Sequence, residues 1–280
     1  QIVQTCRAAV SLGITKFKIT GGEPLVRKGV CNLVSMIKKI PGVEQVTLTT
    51  NGVLLSQYLP ELVEAGTDGI NISLDTLDRK TFARITGSDG LEAVLKSIDD
   101  CLSAKIRTKL NCVLQKGINE TDYVRILEFA KNRNLDLRFI ELMPVGFGKS
   151  LEGVDNRHLL KEIESIYGKG IPDSSKHGNG PAVYVKFPGF VGGIGFISAM
   201  NGKFCSNCNR LRLTTTGDIK SCLCFDRSRI MDCFALGPEE EQVLAIRERL
   251  VLACGDKAES HHFENEDLIT EDKIMAQIGG

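Results

Sequence analysis

The chain has 280 residues, enough for one large domain or two small ones with an ample core. Hydrophobic residues make up 42% and charged residues 25%, a composition in which apolar burial offsets chain entropy, so disorder throughout is excluded. The 35 Lys and Arg balance 35 Asp and Glu, which argues against nucleic acid as a partner and leaves room for a local cationic pocket.

Residues 1–141 alternate between helical and strand periodicity. The pattern predicts a helix over 1–12, a strand over 16–20 and a helix over 29–40. Next come a strand over 45–50, a helix over 54–65 and a strand over 69–74. Helical stretches follow at 79–85 and 90–104, then a strand at 107–113, a helix at 120–132 and a strand at 136–141. Regular alternation of this kind predicts a parallel sheet with crossover helices. After Pro144 the rhythm breaks. One more helix is expected over 156–167, then a Gly- and Pro-rich stretch over 168–195, and a short-strand region carrying Cys205, Cys208, Cys222 and Cys224. A helix over 238–254 and a polar tail over 259–280 complete the chain. A soft boundary near Gly148 divides 1–148 from 149–280.

The longest nearly uncharged stretch, 187–201, is broken by Pro188 and four glycines and is too short to span a bilayer, so no membrane is expected. No secretory leader is read. The chain opens at Gln1 inside a helical pattern without a Met, so a piece of a longer protein is expected. Ten cysteines without a leader point to metal or redox chemistry more than to disulfides, and to a cytoplasmic setting. Cys6, Cys31, Cys101, Cys112, Cys233 and Cys254 mostly fall at apolar-periodic positions and read as core thiols. His158, His177, His261 and His262 form no ligand spacing.

Side chains alternate along a strand, so each strand can be read by face. Lys16, Lys18 and Thr20 share a face, as do Thr47, Thr49 and Asn51. Asn71, Ser73 and Asp75 share another, and Arg107, Lys109 and Asn111 a fourth. A sheet covered by helices on both sides is apolar on both faces. A polar face on strand after strand fits a barrel with helices outside and a ligand-filled lumen better than an open sheet with one face in water.

Three motifs carry chemistry. Thr20-Gly21-Gly22-Glu23-Pro24 follows a strand, where paired glycines let backbone approach a ligand closely. A tight turn without a role is the plainer reading. Cys205-x2-Cys208-x13-Cys222 puts two thiolates on one loop and a third further on. Zinc with Cys224 as fourth ligand and a three-cysteine [4Fe-4S] cluster fit this spacing about equally. Asn209-Arg210-Leu211-Arg212 sets two guanidinium forks on one face beside that loop, suited to phosphate oxygens; isolated, the pair would read as solvated surface arginines.

GGEP, then TTNG at 49–52, NISLD at 71–75, RFIELMP at 138–144, FCSNCNRLRL at 204–213 and the terminal Gly279-Gly280 together resemble the radical-SAM GTP 3′,8-cyclase family of molybdenum cofactor biosynthesis. The resemblance covers essentially the whole chain. GGEP marks only the radical-SAM superfamily, whereas CNRLR with the third cysteine and the Gly-Gly end are specific to the cyclases. The resemblance implies a partial (β/α)6 barrel, its first strand outside this chain, with a C-terminal α+β region. It implies S-adenosylmethionine bound at one [4Fe-4S] cluster and GTP at a second, held here by Cys205, Cys208 and Cys222. A 5′-deoxyadenosyl radical would take hydrogen from the ribose C3′, and the C3′ radical would attack C8 of guanine to give 3′,8-cyclo-7,8-dihydro-GTP.

By motif, Gly22, Ser73 and Met143 resemble the S-adenosylmethionine contacts. Lys18, Thr49, Lys109, Arg210, Leu211 and Arg212 resemble the GTP contacts, with Lys16 and Arg138 as further candidates. Arg210, Arg212, Gly279 and Gly280 are expected to take part in catalysis. Lys18 stands where the family usually has Arg, which keeps the charge and loses the fork. The family's CxxxCxxC loop is absent from these residues, so the chain alone is expected to be inactive. The resemblance further implies cyclic pyranopterin monophosphate synthase as the next enzyme, a homodimer, and a mitochondrial setting if the source is eukaryotic. Another radical-SAM enzyme with an auxiliary cluster and a zinc-ribbon binding module are the alternatives.

Overall fold

The computed structural model describes residues 1–202, 204–224, 227–265 and 269. Gly279 and Gly280, for which a catalytic role is expected, lie outside the described residues. The chain divides into two compact units. One takes Gln1–Thr49, Pro60–Asp68 and Asn209–Gly280; the other takes Thr50–Leu59 and Gly69–Cys208.

In the first unit, α1 (Ile2–Val10) precedes β1 (Lys16–Ile19), α2 (Val30–Lys38) and β2 (Gln45–Thr50). β1 and β2 run parallel, with Lys16 opposite Gln45 and Lys18 opposite Thr47. The Asp68 carboxylate accepts from the Val46 amide at 2.6 Å and from Lys38 Nζ at 2.8 Å, fixing the approach to this strand pair. Near the C-terminus, β9 (Arg212–Leu213), β10 (Asp218–Lys220) and β11 (Arg227–Arg229) form an antiparallel sheet, followed by α8 (Glu239–Gly255). Three glutamates in the first turn of α8 complement the positive end of its dipole. Ala8 and Ala9 of α1 form one core with Ile246, Leu250 and Ala253 of α8 and with Ile219, Ile230 and Cys233. The alanine pair lets the two helices approach closely. Gln4 Nε2 donates to Gln242 Oε1 at 3.0 Å across the same contact.

In the second unit the strand order is β3-β4-β5-β8-β7-β6. β3 (Gly69–Ser73), β4 (Thr108–Cys112), β5 (Asp136–Ile140) and β8 (Ile194–Ile197) run parallel. β7 (Val183–Lys186) and β6 (Ile171–Asp173) add antiparallel strands. These last three strands lie mostly in the stretch whose glycines and prolines read as irregular. The helices of this unit are α4 (Arg79–Thr86), α5 (Leu91–Ser103), α6 (Tyr123–Lys131) and α7 (Asn156–Tyr167), while α3 (Leu55–Glu64) is divided between the units. Their apolar residues pack behind the sheet: Ile72, Leu110, Leu137 and Phe139 are buried, as are Val94, Ile98, Ile126 and Leu127. Asp78 caps α4 by accepting from the Thr81 amide at 2.8 Å, and Asp155 caps α7 from the Arg157 amide at 2.7 Å. Among the described residues, no helix is long and apolar enough to cross a membrane.

Candidate active site

The register of the second unit sets the polar face expected from alternation. Asn71, Lys109 and Asp136 stand side by side across β3, β4 and β5. Two residues further along, Ser73, Asn111, Arg138, Gly195 and Tyr184 form the next row, across β3, β4, β5, β8 and β7. Lys109 and Arg138 are 7% and 6% exposed, so two cations sit nearly dry on one face. An isolated buried charge is costly, and each finds partners. Lys109 Nζ pairs with Asp136 Oδ2 at 2.9 Å, donates to Tyr184 Oη at 2.9 Å and donates to the main-chain oxygen of His177. Arg138 Nη2 donates to Asn71 Oδ1 at 2.6 Å, while Arg138 Nε is buried with no hydrogen-bond partner.

Burial pulls the Lys109 ammonium down to about 8 against the opposing pull of Asp136. Burial lowers Arg138 as well, though a guanidinium keeps its charge. The Tyr184 phenol is pushed up to about 12 by burial and stays neutral. His177 lies flat against Tyr184, ring centroids 3.9 Å apart, with Nδ1 2.9 Å from Asp136 Oδ1 and Nε2 2.7 Å from Asp173 Oδ2. Ser175 chiefly, then His177, hold the Asp173 carboxyl well below the usual carboxylate range. Alternation on β8 supplies the floor. A Cβ on Gly193 would stand 2.7 Å from the His177 ring, and one on Gly195 2.9 Å from the Tyr184 ring.

Sequence reasoning reached Lys109 and Arg138 and missed Asp136, His177 and Tyr184. Asp136 was within reach, because it lies two residues before Arg138 on the same face of β5. Glu141, inside the RFIELMP run, was also missed. Its carboxylate accepts from the amides of Asn156, Met200 and Asn201 at 3.1, 2.7 and 3.0 Å and from Asn201 Nδ2 at 3.2 Å. Met143 follows in a loop folded tightly on itself, since a Cβ on Gly148 would run into the Met143 carbonyl oxygen. Ser73 is exposed at the end of β3. The TTNG run closes on itself, with Thr50 Oγ1 accepting from the Gly52 amide at 3.1 Å and Asn51 Oδ1 from the Val53 amide at 3.0 Å. Gly52 has φ +82° and no space for a Cβ, which would stand 2.9 Å from Ile72.

In the first unit, Lys18 is exposed and Lys16 forms a loose pair with Glu44 at 3.6 Å. Thr49 is half-buried on β2, and Gly22 is exposed before a short turn in which Glu23 accepts from the Leu25 amide at 2.9 Å. Arg210 and Arg212 are half-buried, and the Arg210 carbonyl accepts from Lys257 Nζ at 3.0 Å. Leu211 between them packs into the α1–α8 core.

All ten cysteines are free thiols. Cys205 and Cys208 share one turn, closed by the Cys208 amide donating to the Cys205 carbonyl at 3.0 Å. Cys222 is half-buried, and its Sγ accepts from the Cys224 amide at 3.5 Å. Cys224 is 0% exposed, and burial raises its thiol. Among the described residues, no three His, Cys, Asp or Glu side chains are gathered as a metal-ligand set. Burial pushes Cys6 and Cys101 up to about 12 and Cys31 to about 11, as befits inert core thiols. Cys254 departs from that reading, because it lies on the solvent face of α8 and is exposed.

The pattern of the Radical SAM superfamily matches residues 1–130, and that of Molybdenum Cofactor Synthesis C matches 135–263. GTP 3′,8-cyclase of Clostridium perfringens is 39% identical over 281 residues, covering 100% of this chain and 86% of the relative. The chain belongs to the GTP 3′,8-cyclase family. Among further relatives, the GTP 3′,8-cyclase of Petrotoga mobilis is 38% identical, again covering 100% of this chain and 86% of the relative. The molybdenum cofactor biosynthesis protein moc-5 of Caenorhabditis elegans is 37% identical over 90% of this chain, which spans 42% of that protein. Among solved structures, Streptococcus suis SuiB bound to S-adenosylmethionine matches with a TM-score of 0.62 at 15% identity, over 85% of this chain and 57% of that one. That likeness shows a shared fold, and the Radical SAM match over 1–130 accords with the mixed α/β architecture and its parallel sheet.

Proposed function

We propose that this GTP 3′,8-cyclase family member converts GTP to 3′,8-cyclo-7,8-dihydro-GTP, the first step of molybdenum cofactor biosynthesis. The observation that carries the reading is the nearly dry pair Lys109 and Arg138 on one sheet face, with Arg138 Nε left without a partner. A polyanion satisfies that arrangement better than any neutral ligand. The names of the relatives support GTP as that polyanion.

On this reading Lys109 and Arg138 bind phosphate oxygens, with Lys16, Lys18, Thr49, Arg210 and Arg212 as further GTP contacts. Leu211 contributes through its backbone, since its side chain belongs to the core. Gly22, Ser73 and Met143 hold S-adenosylmethionine: Gly22 by backbone, Ser73 by its hydroxyl and Met143 beside the adenine. S-adenosylmethionine with an iron–sulfur cluster, when bound, supplies the hydrogen abstraction at the ribose. The thiolates of Cys205, Cys208 and Cys222 are the ligands proposed for a [4Fe-4S] cluster in the C-terminal part. Soft sulfur donors suit iron, and Cys222 already receives an amide hydrogen bond of the kind that stabilises a thiolate. The polar sheet face orients the nucleotide while the helices behind it exclude water. Gly279 and Gly280 are proposed to enter the site, where any Cβ would crowd the reacting groups. Cyclic pyranopterin monophosphate synthase as next enzyme, a homodimer and a cytoplasmic or mitochondrial setting belong to the same proposal. Ten free thiols accord with a reducing compartment.

Titration calorimetry with GTP tests the reading. Lys109→Ala and Arg138→Ala should each weaken binding about thirtyfold, on the order of 2 kcal/mol per buried cation–phosphate contact. Parent-like affinity in both variants would overturn it.

A further inference from the structure

The ammonium group of Lys109 has three N–H donors, and all three are spoken for: by Asp136, by Tyr184 and by the main-chain oxygen of His177. An incoming phosphate must therefore replace one of them. Asp136 is the strongest competitor because it is charged. Its other oxygen is further held by His177 Nδ1 at 2.9 Å and by the Gly193 amide at 3.2 Å. The neutral carbonyl of His177 is the weaker partner, and it sits on a connection, not on a strand.

That connection, residues 174–180, leaves β6 and leads back toward β7. It contributes a second carbonyl to the same face. Arg107 Nη2 donates to the Lys176 oxygen at 3.0 Å. Arg107, just before β4, and Lys109 are two residues apart, and the carbonyls that accept from them belong to consecutive residues, Lys176 and His177. Two neighbouring oxygens on two neighbouring cations is the pattern a phosphate would make. Besides these two carbonyl contacts, the His177 ring holds the strap, with Ser175 Oγ 3.0 Å from its Nε2. The ring lies between the Asp136 and Asp173 carboxylates and flat against Tyr184, on the floor left by Gly193 and Gly195. Gly178, with φ +148°, and Gly180 give the strap a backbone that can swing away.

We propose that the strap 174–180 is a displaceable occupant of the phosphate site, that its carbonyls at Lys176 and His177 stand where phosphate oxygens bind, and that Arg107 is therefore a further phosphate-binding residue. His177 is the positioning residue that holds the strap in place. This rests on the reading of Lys109 as a phosphate contact. Phosphate takes the donors of Arg107 and Lys109 as the two carbonyls leave, while Asp136 and Tyr184 keep Lys109 aimed.

Inorganic tripolyphosphate is the probe, because it carries the charge of the nucleotide without its base. Calorimetry on the full chain should show binding to the parent and its loss in Lys109→Ala. Arg107→Ala should weaken it about fivefold, the worth of one charge-assisted contact at a rim. His177→Ala should tighten it about fivefold, because one competing hydrogen bond is weakened. His177→Phe keeps the stack on Tyr184 without the ring nitrogens and should fall between His177→Ala and the parent. Amide exchange over 174–180 should rise when tripolyphosphate is added and stay unchanged with guanosine. Far-UV dichroism and melting of each variant establish that the fold is kept. If Lys109→Ala weakens binding but His177→Ala and His177→Phe bind as the parent does, and strap exchange does not move, the strap proposal fails and the phosphate site stands. If Lys109→Ala leaves tripolyphosphate and GTP binding unchanged, the reading of the site fails and the strap proposal with it.

Discussion

A lysine whose ammonium is held near 8 is charged at neutral pH and loses its charge within an accessible range. Facing Lys109 are Asp136 and Arg138 of β5, Arg107 just before its own strand, Tyr184 of β7 and the strap carbonyl of His177. Burial places the titration of Lys109 at about 8, whereas it raises Tyr184 to about 12. On the proposed reading phosphate binds the protonated lysine, so GTP affinity should be flat between about pH 7 and 8, where the terminal phosphate is already ionised, and fall above it by up to about tenfold per pH unit, levelling off near the thirtyfold loss expected of Lys109→Ala. Lys109→Arg should bind more weakly, because the fork does not fit the lysine's place, and should not show the fall. A parent titration flat to pH 9.5 would remove Lys109 from the phosphate contacts. Asp75, in the NISLD run, carries the opposite sign. Burial pushes its carboxyl up to about 6, although it accepts from the Val113 amide at 2.8 Å. The folded state thus holds a proton that the unfolded state has released between about pH 4 and 6. Stability from this group is present below that window, falls through it, and is missing above it. Asp75→Asn keeps the acceptor and should raise the melting temperature at pH 7.5 by about 3 °C, with no gain at pH 4. A gain of equal size at both pH values would mean the effect has another origin.

Among the elements, the end of β5 bears the most. Glu141 gathers amide donors from the start of α7 and from the turn after β8, four contacts on one buried carboxylate. A carboxylate that replaces water with several N–H donors is well compensated, and removing it strands those donors. Glu141→Ala should cost about 2–3 kcal/mol in urea unfolding, and Glu141→Gln less, because the amide oxygen still accepts. Equal losses in both would point to packing in place of hydrogen bonding. The same region shows what the sequence could and could not say. β1 to β5 and their helices were legible because their apolar periods are unbroken, and the bounds shifted by only a residue or a few at each end. Face alternation correctly grouped Asn71 with Ser73 and Lys109 with Asn111. β6, β7 and β8 were not legible. Pro172 interrupts one, and Gly193 and Gly195 flank and enter another, both strong signals for irregular chain. Those glycines are required by long-range contact: the His177–Tyr184 stack lies where their side chains would be. No local pattern reports that, so the strap and its histidine were invisible until the strands were assembled.

Zero net charge over the full sequence is matched locally in the second unit, where Lys109 and Arg138 share a sheet face with Asp136 and Asn71. The cysteines divide by burial. Five of the six thiols assigned to the core are buried, whereas Cys205, Cys208 and Cys222 keep partial exposure. Cys224 is the informative case, because zinc and iron–sulfur readings differ on it. It is fully buried, its thiol is raised by burial, and its amide donates to Cys222 Sγ. A raised thiol resists the deprotonation that a metal ligand needs. Its backbone, by contrast, is placed to support a thiolate at Cys222, as groups behind a ligand commonly do. After anaerobic reconstitution with iron and sulfide, Cys224→Ser should keep the iron content and visible absorption of the parent. Cys222→Ser should lose both, and zinc added in place of iron should bind no more tightly to the parent than to Cys224→Ser. Loss of iron from Cys224→Ser in a folded protein would move Cys224 into the ligand set and return the site to the four-cysteine zinc reading.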